Sequence, residues 1–473
     1  MKVNRLLKKV NINSVLNNHQ VFSIVDNSNN CIENSIYVPI VGSKHNGYDY
    51  LDEAINNGAK TIVYDRSINK EKGINYVKSH NNKKTLADLL YYYNLHKMKR
   101  IKFIGVVGTN GKTTTSSLIY NFLQYMGRKS MLIGSNGVLC SGVCKDLSNT
   151  TPGISILYEL IDYAYRNDIE FIVMEASSIG ILEHRTDKIP FKYLIFTNFS
   201  EDHLDYHKSM DNYLNAKALL FDKLNSNSYA IINKYDNAYK RIIAHCDAKI
   251  LDYSINDRSM YEAYSIKSSA KGIKFRVNHV EYKTNLIGSF NVYNILPLIA
   301  LSEKLGYSYN DLTHFLNGFS SVNGRMNLIN VKNKRVIIDY AHTPDAIKLV
   351  IEEAKRICDG TVYVITGCGG NREHEKRPII GNILSQEGII SIITTDNPRY
   401  EDPNDIINDI IKGATRELLA IENREDAIYY ALNNMSNNDL LLILGKGCEK
   451  IISIRGHKIK YSDYEVIRKY KEE

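Results

Sequence analysis

The chain has 473 residues, 44% hydrophobic and 24% charged, a balance that excludes wholesale disorder. The length predicts roughly three domains, each large enough for a buried core. The formal net charge of +8 is spread along the chain without a dense basic block. Such a charge suits polyanionic small molecules, and we expect no nucleic-acid partner.

The cysteines and the N-terminus indicate the compartment. Seven cysteines without a C-x-x-C pair favour reduced thiols over disulfides or a zinc site. The opening MKVNRLLKKV lacks an apolar core long enough for a signal peptide, and no apolar run reaches the roughly 18 residues of a membrane span. We therefore expect a cytoplasmic protein without a membrane partner, and a monomer by default.

Short apolar runs alternate with helical patterns along the chain, which predicts βα units and mainly parallel sheets. The first section, to about residue 93, contains two candidate strands, and the stretch FSSVNGRMN after Gly318 is typical of a connector. The predicted strands are residues 35–40, 61–64, 101–107, 171–174, 193–197, 335–338, 361–366, 389–394 and 440–444. Ligands bind outside the carboxyl ends of such strands, so the polar loops there are the place to look for chemistry.

The sequence GVVGTNGKTTT at residues 105–115 follows the first strand of the second section. It departs from the standard phosphate-loop pattern because Val106 stands where a glycine is expected. Gly108 and Gly111 still let the backbone approach an anion, Lys112 can reach the β- and γ-phosphates, and Thr113 can hold Mg²⁺. The alternative is a strand–turn–helix corner with a chance lysine.

Acidic and histidine side chains follow the next two strands. Glu175 ends the strand in FIVMEASS and is either a Mg²⁺-binding acid or a solvated one. The segment FSEDHLDYH concentrates Asp202, His203, Asp205 and His207, for which zinc is the rival interpretation. Mg²⁺ with a triphosphate needs few protein ligands, mostly oxygen, and the phosphate loop already provides the triphosphate site.

A series of motifs then resembles one family. GTNGKTTT, NTTP, MEASSIGILEHR, FTNFSEDHLDYH, YLNAKALLF, GSFNVYN, NGRM and DYAHTPDA occur in the order found in Mur ligases, the ATP-dependent amino-acid ligases of peptidoglycan precursor synthesis. GCGGNRE, DNPRYEDP and GKGCE are similar to the branch that adds the third residue to UDP-N-acetylmuramoyl-L-alanyl-D-glutamate. The resemblance extends from about residue 100 onward and is much weaker before it.

The resemblance implies an α/β protein with three domains. These are an N-terminal UDP-sugar-binding domain at 1–97, a central ATP-binding domain with a P-loop-type parallel sheet at 98–322, and a Rossmann-like, amino-acid-binding domain at 323–473. It further implies that ATP, with Mg²⁺, phosphorylates a substrate carboxylate. An amino group then attacks the acyl phosphate, because a free carboxylate is a poor electrophile.

The resemblance also assigns site residues. Catalysis would involve Lys112, Glu175, His203 and Lys217. ATP would be bound by Gly108, Thr109, Asn110, Gly111, Lys112, Thr113, Thr114, Asn291, Asn294, Arg325, Asp339 and His342. The UDP-sugar peptide would be bound by Ser28, Asn149, Thr150, Thr151, Ser177, Glu183 and Arg185. Metal would be held by Thr113, Glu175, His203 and a carbamylated Lys217.

Lys217 has two interpretations. A lysine within an amphipathic helix is ordinarily a solvated surface residue, and the sequence alone favours that view. The family resemblance implies instead that CO₂ carbamylates it, which turns an ammonium that Mg²⁺ would repel into an anionic oxygen ligand.

The third section indicates which amine is added. The resemblance implies that meso-diaminopimelate is bound by Arg372, Asp396, Asn397, Pro398, Arg399, Gly445 and Glu449. Guanidinium groups suit carboxylates, and Arg399 favours diaminopimelate over lysine, which lacks the distal carboxylate. The alternative is that Arg399 caps a helix or pairs with Glu401 or Asp402. Locally, Thr343-Pro344-Asp345 also predicts a helix start.

Four positions depart from the family pattern: Ile179, Glu183, Asn371 and Cys448. An acid at position 183 would disfavour a nearby diphosphate. Two alternatives therefore stay open beside the diaminopimelate ligase. One is a divergent ligase with the same mechanism but another carboxylate or amine, such as L-lysine or a specialised metabolite. The other is a nucleotide-binding protein without catalysis. A folylpolyglutamate-type ligase shares the architecture, but the DNPR and GKGCE blocks point elsewhere.

Overall fold

The computed structural model describes residues 1–42, 45–140 and 143–472, which form three α/β domains, each built on its own main sheet. The N-terminal sheet has four parallel strands in the order β1-β2-β3-β4. Its strands are β1 (Ile24–Val25), β2 (Ser35–Tyr37), β3 (Ala59–Tyr64) and β4 (Asn75–Lys78), and its helices are α1 (Val3–Lys9), α2 (Leu51–Asn56) and α3 (Asn82–Met98). The two strands predicted in this section correspond to β2 and β3.

The central sheet has eleven strands in the order β15-β14-β13-β12-β11-β10-β5-β9-β6-β7-β8. The strands are β5 (Lys102–Val107), β6 (Ser130–Gly134), β7 (Gly137–Cys140), β8 (Val143–Lys145), β9 (Phe171–Glu175), β10 (Phe191–Phe196), β11 (Tyr229–Asn233), β12 (Lys249–Ile255), β13 (Tyr261–Ser269), β14 (Gly272–Val277) and β15 (Val280–Thr284). The helices are α4 (Lys112–Tyr125), α5 (Ile154–Arg166), α6 (Ser178–Leu182), α7 (Leu204–His207), α8 (Met210–Phe221), α9 (Tyr239–Ile242), α10 (Asn291–Lys304) and α11 (Tyr309–Gly318).

The middle of this sheet is parallel and almost wholly buried. Strands β10, β5, β9 and β6 pair in parallel, and their largely apolar sequences are typical of strands covered by helices on both faces. The outer pairs β6–β7, β7–β8, β13–β14 and β14–β15 are antiparallel. The predicted strands at 101–107, 171–174 and 193–197 are β5, β9 and β10.

The C-terminal sheet has six strands in the order β16-β17-β21-β18-β19-β20, and only the β16–β17 pair is antiparallel. The strands are β16 (Asn327–Val331), β17 (Lys334–Ile338), β18 (Val362–Thr366), β19 (Ile389–Ile393), β20 (Leu419–Ala420) and β21 (Leu440–Ile443), followed by a separate hairpin of β22 (Ile451–Ile454) and β23 (His457–Lys460). The helices are α12 (Pro344–Ile357), α13 (Lys376–Leu384), α14 (Pro403–Ile411), α15 (Arg424–Asn434) and α16 (Asp463–Glu472).

Local signals explain where several elements begin. The predicted helix start at Thr343 is confirmed: its side chain accepts from the N–H of Ala346, and Pro344 occupies the first turn of α12. The stretch FSSVNGRMN connects α11 to β16, as expected.

The predicted three-domain α/β architecture is thus confirmed. In the described part of the chain, no helix combines the length and apolarity needed to cross a membrane.

Candidate active site

The phosphate loop connects the buried strand β5 to helix α4. Gly111 caps the helix in the left-handed conformation at φ 83°, and an added Cβ would lie 2.4 Å from Asn294 Oδ1. A Cβ on Gly108 would lie 1.9 Å from Thr197 Oγ1, so both glycines are required by close packing. The backbone N–H groups of the first turn of α4 thus lie at a glycine turn, an arrangement suited to binding an anion.

Lys112 folds back over this loop. Its Nζ donates to the carbonyl oxygens of Gly108 at 2.9 Å and Thr109 at 2.8 Å. Burial lowers the pKa of Lys112, while the carboxylates of Glu175 and Asp202 oppose that shift. The lysine is thus held at the phosphate loop, which disfavours the interpretation of a chance residue at a corner.

Residues after β10 support the loop from the opposite side. Asn198 Oδ1 accepts from the N–H of Asn110 at 2.9 Å, and Thr197 Oγ1 donates to the Asn110 carbonyl at 2.7 Å. Thr109 Oγ1 donates to the carbonyl of Ser200 at 3.2 Å. Sequence reasoning did not assign Thr197 or Asn198 a role, although both lie in the FTNFSEDHLDYH motif.

Glu175 is buried and is hydrogen-bonded on both carboxylate oxygens. Thr113 Oγ1 donates to Oε2 at 3.1 Å, and Ser135 donates its N–H to Oε1 at 3.0 Å and its hydroxyl to Oε2 at 3.1 Å. From the C-terminal domain, Arg325 Nη2 donates to Thr113 Oγ1 at 3.0 Å. The alternative of a solvated strand-end acid is therefore wrong, and the oxygen-rich pair of Thr113 and Glu175 fits Mg²⁺.

Lys217 is only 1% exposed, so the interpretation as a solvated surface residue is wrong. Its Nζ donates to the carbonyl of Gly108 at 3.0 Å and lies 3.9 Å from the centre of the Tyr213 ring. Burial, and then the nearby charge of Lys112, lower the pKa of Lys217 well below its ordinary value. Helix α8 thus delivers an amine of weakened basicity to the phosphate loop.

Asp202 joins histidines from two domains. Asp202 Oδ2 lies 3.5 Å from Nε2 of His203 and 3.9 Å from Nε2 of His342, which follows β17. Burial alone would raise the pKa of Asp202, but the surrounding cations hold it at about 2. Burial also lowers the pKa of His203 to about 4, so this imidazole is neutral at pH 7.

Of the four residues considered for zinc, His207 and Asp205 have other partners. His207 Nε2 lies 2.8 Å from Ser178 Oγ, whereas Asp205 faces Arg372. Among the described side chains, at residues 1–42, 45–140 and 145–472, no three His, Cys, Asp or Glu gather in a way that could hold a metal ion. The zinc interpretation of this segment thus has no geometric support.

The remaining residues expected at ATP divide into two groups. Asn291 and Asn294 are buried beneath the phosphate loop, where Asn294 Nδ2 donates to Asn291 Oδ1 at 2.7 Å. Thr114 is buried in the first turn of α4. Arg325 crosses the cleft and stacks over Tyr340, with 4.3 Å from its guanidinium carbon to the ring centre.

Asp339 organises the C-terminal side of this junction. Its carboxylate accepts the N–H groups of Met326 and Ala341, each at 2.7 Å. Burial raises the pKa of Asp339, and the charge of Arg325 and these N–H groups oppose the rise. His342 Nδ1 lies 3.0 Å from the Tyr340 carbonyl, which orients the imidazole towards Asp202.

A cavity of about 130 Å³ lies between the central and C-terminal domains. Asp202, His203 and Asp205 line it from the central domain. The C-terminal domain contributes Lys376 and six of the seven residues expected to bind the amino acid. These six are Arg372, Asp396, Asn397, Arg399, Gly445 and Glu449. The carboxyl ends of β10, β18, β19 and β21 therefore meet at one cleft, as expected for open α/β sheets.

The expected amino-acid residues hold one another in place. Glu449 Oε2 accepts from Asn397 Nδ2 at 2.9 Å and from the buried Lys446 Nζ at 3.0 Å. Asn397 Oδ1 accepts the N–H of Ser453 at 2.9 Å, so Asn397 also attaches the β22–β23 hairpin. A Cβ on Gly445 would lie 2.7 Å from Asp396 Oδ2, so this glycine makes room for an acid.

Arg399 adopts φ 54°, in the left-handed region that non-glycine residues rarely occupy. Its Nη1 donates to the carbonyl of Gly370, and Pro398 precedes it in the same turn. The carboxylate of Glu401 binds Arg377 instead, at 2.8 Å, and Asp402 caps α14 by accepting the N–H of Asn404. The alternative partners considered for Arg399 are thus engaged elsewhere.

Most residues expected at the UDP-sugar peptide lie together. Thr151 Oγ1 donates to the Glu175 carbonyl at 2.9 Å and accepts the N–H of Ser177 at 2.9 Å, and its own carbonyl accepts from Arg185 Nη1 at 3.0 Å. Thr150 Oγ1 lies 3.1 Å from Ser135 Oγ. Asn149 Nδ2 donates to Ser148.

Ser28 belongs to the N-terminal domain and is buried, with its hydroxyl donating to Glu53 Oε2 at 2.9 Å. Glu183 of the central domain forms an ion pair with Lys83 of the N-terminal domain, and Tyr206 donates to Glu183 Oε1 at 3.2 Å. Burial alone would raise the pKa of Glu183, but Lys83 and Tyr206 lower it. The negative charge of Glu183 is therefore offset by Lys83.

The other three departures lie in different surroundings. Ile179 is half-buried in α6. Asn371 Oδ1 accepts the N–H of Tyr400 at 3.1 Å. Cys448 donates its thiol to Asn136 Oδ1 of the central domain at 3.0 Å, and burial raises the pKa of this thiol.

Comparisons with known proteins agree with this geometry. The family models for the Mur ligase middle domain and for the Mur ligase glutamate ligase domain match residues 106–302 and 324–447. The UDP-N-acetylmuramoyl-L-alanyl-D-glutamate--2,6-diaminopimelate ligase of Clostridium tetani is 33% identical, over 100% of both chains. The ligase of the same name from Wigglesworthia glossinidia brevipalpis is 34% identical, over 94% of each.

Solved structures extend the likeness to the fold. A structure of a UDP-N-acetylmuramoyl-L-alanyl-D-glutamate--2,6-diaminopimelate ligase has a TM-score of 0.72 at 25% identity, covering 100% of this chain and 99% of that one. The MurF ligase of Thermotoga maritima, solved in complex with ADP, has a TM-score of 0.64 at 19% identity and covers 89% and 93%. On sequence and on fold, the chain belongs to the Mur ligase family.

Proposed function

We propose that this protein is the ATP-dependent ligase that adds meso-diaminopimelate to UDP-N-acetylmuramoyl-L-alanyl-D-glutamate in peptidoglycan precursor synthesis. One observation carries the proposal. The cavity at the Asp202–His203 segment, beside the phosphate loop, is lined on its far side by Arg372, Arg399 and Glu449. We further propose that the protein acts in the cytoplasm, as a monomer.

We infer domain boundaries near residues 97 and 322. The first falls at the end of α3, and the second falls in the connector between α11 and β16. The three main sheets lie on either side of these points, which supports the division into segments 1–97, 98–322 and 323–473.

In this mechanism the phosphate loop and Lys112 bind the triphosphate of ATP. Thr113, Glu175, His203 and a carbamylated Lys217 would hold Mg²⁺, which supplies charge neutralisation at the transferred phosphoryl group. The buried Glu175 carboxylate and Thr113 hydroxyl are the oxygen donors that fit it, and Lys217 would have to become anionic first. The low pKa of Lys217 supports that change, since only an unprotonated amine reacts with CO₂.

Two bond exchanges follow. A carboxylate oxygen of the acceptor attacks the γ-phosphorus, and ADP leaves, giving an acyl phosphate. The amine of the second substrate then attacks the acyl carbon, phosphate leaves, and the nitrogen loses a proton as the amide forms. The Lys112 ammonium stabilises the negative charge that develops as the phosphoryl group is transferred in the first step. His203 is neutral at pH 7 and accordingly adds no positive charge that would repel the incoming amine's ammonium form.

The choice of amine rests on the two arginines. Two guanidinium groups in one cavity favour a substrate with two carboxylates, whereas Glu449 suits an ammonium group. Arg399→Ala is expected to raise the KM for diaminopimelate at least tenfold and to leave the KM for ATP within twofold. Equal changes in both KM values would count against a substrate-binding role.

The decisive assay measures ADP release with ATP, Mg²⁺ and UDP-N-acetylmuramoyl-L-alanyl-D-glutamate, with meso-diaminopimelate, L-lysine and L-ornithine offered separately and the product mass determined. Selective turnover with diaminopimelate supports the proposal. Turnover with another amine points to a divergent ligase. ATP binding without turnover of any amine points to a different acceptor or to a nucleotide-binding protein without catalysis.

A further inference from the structure

The two arginines proposed to bind the amino acid sit on separate loops of the C-terminal domain. Arg372 belongs to the loop after β18, and Arg399 belongs to the loop after β19. The loops are joined where they meet: the N–H of Gly370 donates to the Asn397 carbonyl at 2.9 Å, and the N–H of Tyr400 donates to Asn371 Oδ1 at 3.1 Å. Their relative position therefore determines how far apart the two guanidinium groups stand.

A third arginine lies beneath this junction. Arg377, in the first turn of α13, is 0% exposed and lies under the cavity wall rather than in its lining. Its Nη2 donates to Glu401 Oε2 at 2.8 Å, and its Nη1 donates to Asp409 Oδ2 at 3.0 Å. A buried guanidinium is tolerated only when it is paired, so loss of either carboxylate would leave this buried charge partly uncompensated.

Glu401 links this buried charge to both loops. Its Oε1 accepts the N–H of Asn371, the residue immediately before Arg372, and its own position is two residues after Arg399. Burial alone would raise the pKa of Glu401, but the Asn371 N–H and the guanidinium of Arg377 lower it, so the carboxylate stays ionised. One side chain thus connects the backbone next to each substrate-facing arginine.

The backbone at these two points is unusual. Asn371 has φ 51° and Arg399 has φ 54°, a conformation that costs an L-residue free energy unless its surroundings impose it. The bonds from Glu401 and between the two loops supply that constraint. Asn371, which departs from the family pattern, is among the residues that tolerate the left-handed region best.

We propose that Arg377 and Glu401 are positioning residues, which fix the spacing and direction of Arg372 and Arg399 and thereby set the preference for an amino acid with two carboxylates. This inference rests on the proposed function for the identity of the substrate. Neither residue contacts the substrate in this scheme. Each acts through the loop that it holds.

The first test is Arg377→Lys. Lysine keeps the positive charge and most of the volume, but a single ammonium cannot reproduce the planar fork that serves two carboxylates. We expect the KM for meso-diaminopimelate to rise at least tenfold. The KM values for ATP and for the UDP-linked dipeptide should stay within twofold, because the side-chain partners of Arg377 are Glu401 and Asp409, which are not among the residues expected to bind either substrate.

Glu401→Gln is the second variant. The amide oxygen can still accept the Asn371 N–H, but the amide nitrogen cannot accept from Arg377, so one of the two constraints that Glu401 places on the loops is lost. We expect a smaller rise of three- to tenfold in the KM for diaminopimelate. Lys412→Ala is the matched control, since Lys412 contacts Asp409 from the solvent side at 2.7 Å and has no bond to either loop. Its KM values should equal those of the wild type.

Hydrogen exchange measured by mass spectrometry gives a readout that does not depend on turnover. In Arg377→Lys we expect faster exchange in residues 369–374 and 397–402, with residues 108–114 unchanged. Unchanged exchange in both loops, or equal rises in all three KM values, would overturn the inference. If the wild type adds none of the amines offered, the proposed function fails, and the exchange result alone decides whether Arg377 positions the loops.

Discussion

Arg372 Nη1 lies 3.5 Å from Asp205 Oδ2, so a C-terminal residue proposed to bind the amino acid faces a carboxylate of the central domain. Next to this pair, Glu373 accepts the N–H of Leu204. Both partners of the ion pair are partly exposed, at 43% and 35% of the side chain. Exposed pairs of this kind contribute at most about 1 kcal/mol, so a substrate carboxylate can displace Asp205.

Asp205→Asn is expected to lower the KM for diaminopimelate two- to fivefold, because about 1 kcal/mol of competition for Arg372 is removed. Steady-state kinetics with diaminopimelate as the varied substrate measures this. Asp211→Asn, an exposed acid in the first turn of α8, is the control. A higher KM in Asp205→Asn would mean that Asp205 contributes to binding or to domain closure.

Gly134 is packed against Glu175, and a Cβ there would lie 2.2 Å from Glu175 Oε1. Gly134→Ala should therefore push the carboxylate away from Thr113 and Ser135 and lower kcat on the order of 100-fold, the scale of losing a metal-site contact. Gly318→Ala is the matched control, since nothing lies within 4 Å of its added Cβ. An active Gly134→Ala enzyme would show that Glu175 need not keep this position.

Local sequence was sufficient for strands β5, β9 and β10 and for the phosphate loop, whereas the neighbouring parallel strands β6, β11 and β12 were not predicted. The run at 171–174 is continuously apolar, and the run at 101–107 is apolar apart from Lys102. Gly108 and Gly111 lie within four residues of Lys112, so spacing alone defines the turn. The antiparallel strands β13–β15 were not predicted. In β14 the burial alternates from Ile273 to Val277, a period of two that the sequence GIKFRV already shows.

Long-range partners could not be predicted from the sequence. Lys217 is buried because helix α8 packs against a loop 109 residues earlier, and its neighbours in YLNAKALLF do not reveal that contact. Glu183 is neutralised by Lys83, which lies 100 residues upstream in another domain. In DNPRYEDP, adjacency suggested that Arg399 pairs with Glu401, but the turn at φ 54° directs Arg399 towards the Gly370 carbonyl instead.

Because Lys83 offsets the charge of Glu183, we expect substitutions of these two residues to compensate for each other at the UDP-sugar-peptide site. Lys83→Ala leaves the acid unpaired near the proposed diphosphate, and we expect the KM for the UDP-linked dipeptide to rise about three- to tenfold. Glu183→Gln should have little effect. The double variant should return close to the wild-type KM, because the unpaired charge is gone.

Lys188→Ala is the control for this series, since Lys188 pairs with Asp88 at another contact between the same two domains. It should leave the KM for the UDP-linked dipeptide unchanged. Additive effects of the two single variants, without recovery in the double variant, would show that Lys83 acts in some way other than by offsetting Glu183.

Lys217 is expected to be carbamylated when the enzyme is active. Its pKa lies well below the ordinary value, so protonation competes with CO₂ less than it does at an ordinary lysine, and the carbamate should be lost as the pH falls. NMR of the enzyme in ¹³C-bicarbonate should show a carbamate carbon that Lys217→Ala lacks. Loss of this metal ligand should lower activity on the order of 100-fold or more, whereas Lys223→Ala, which removes an exposed partner of Asp187, should not. Full activity in Lys217→Ala would exclude the carbamate from the mechanism.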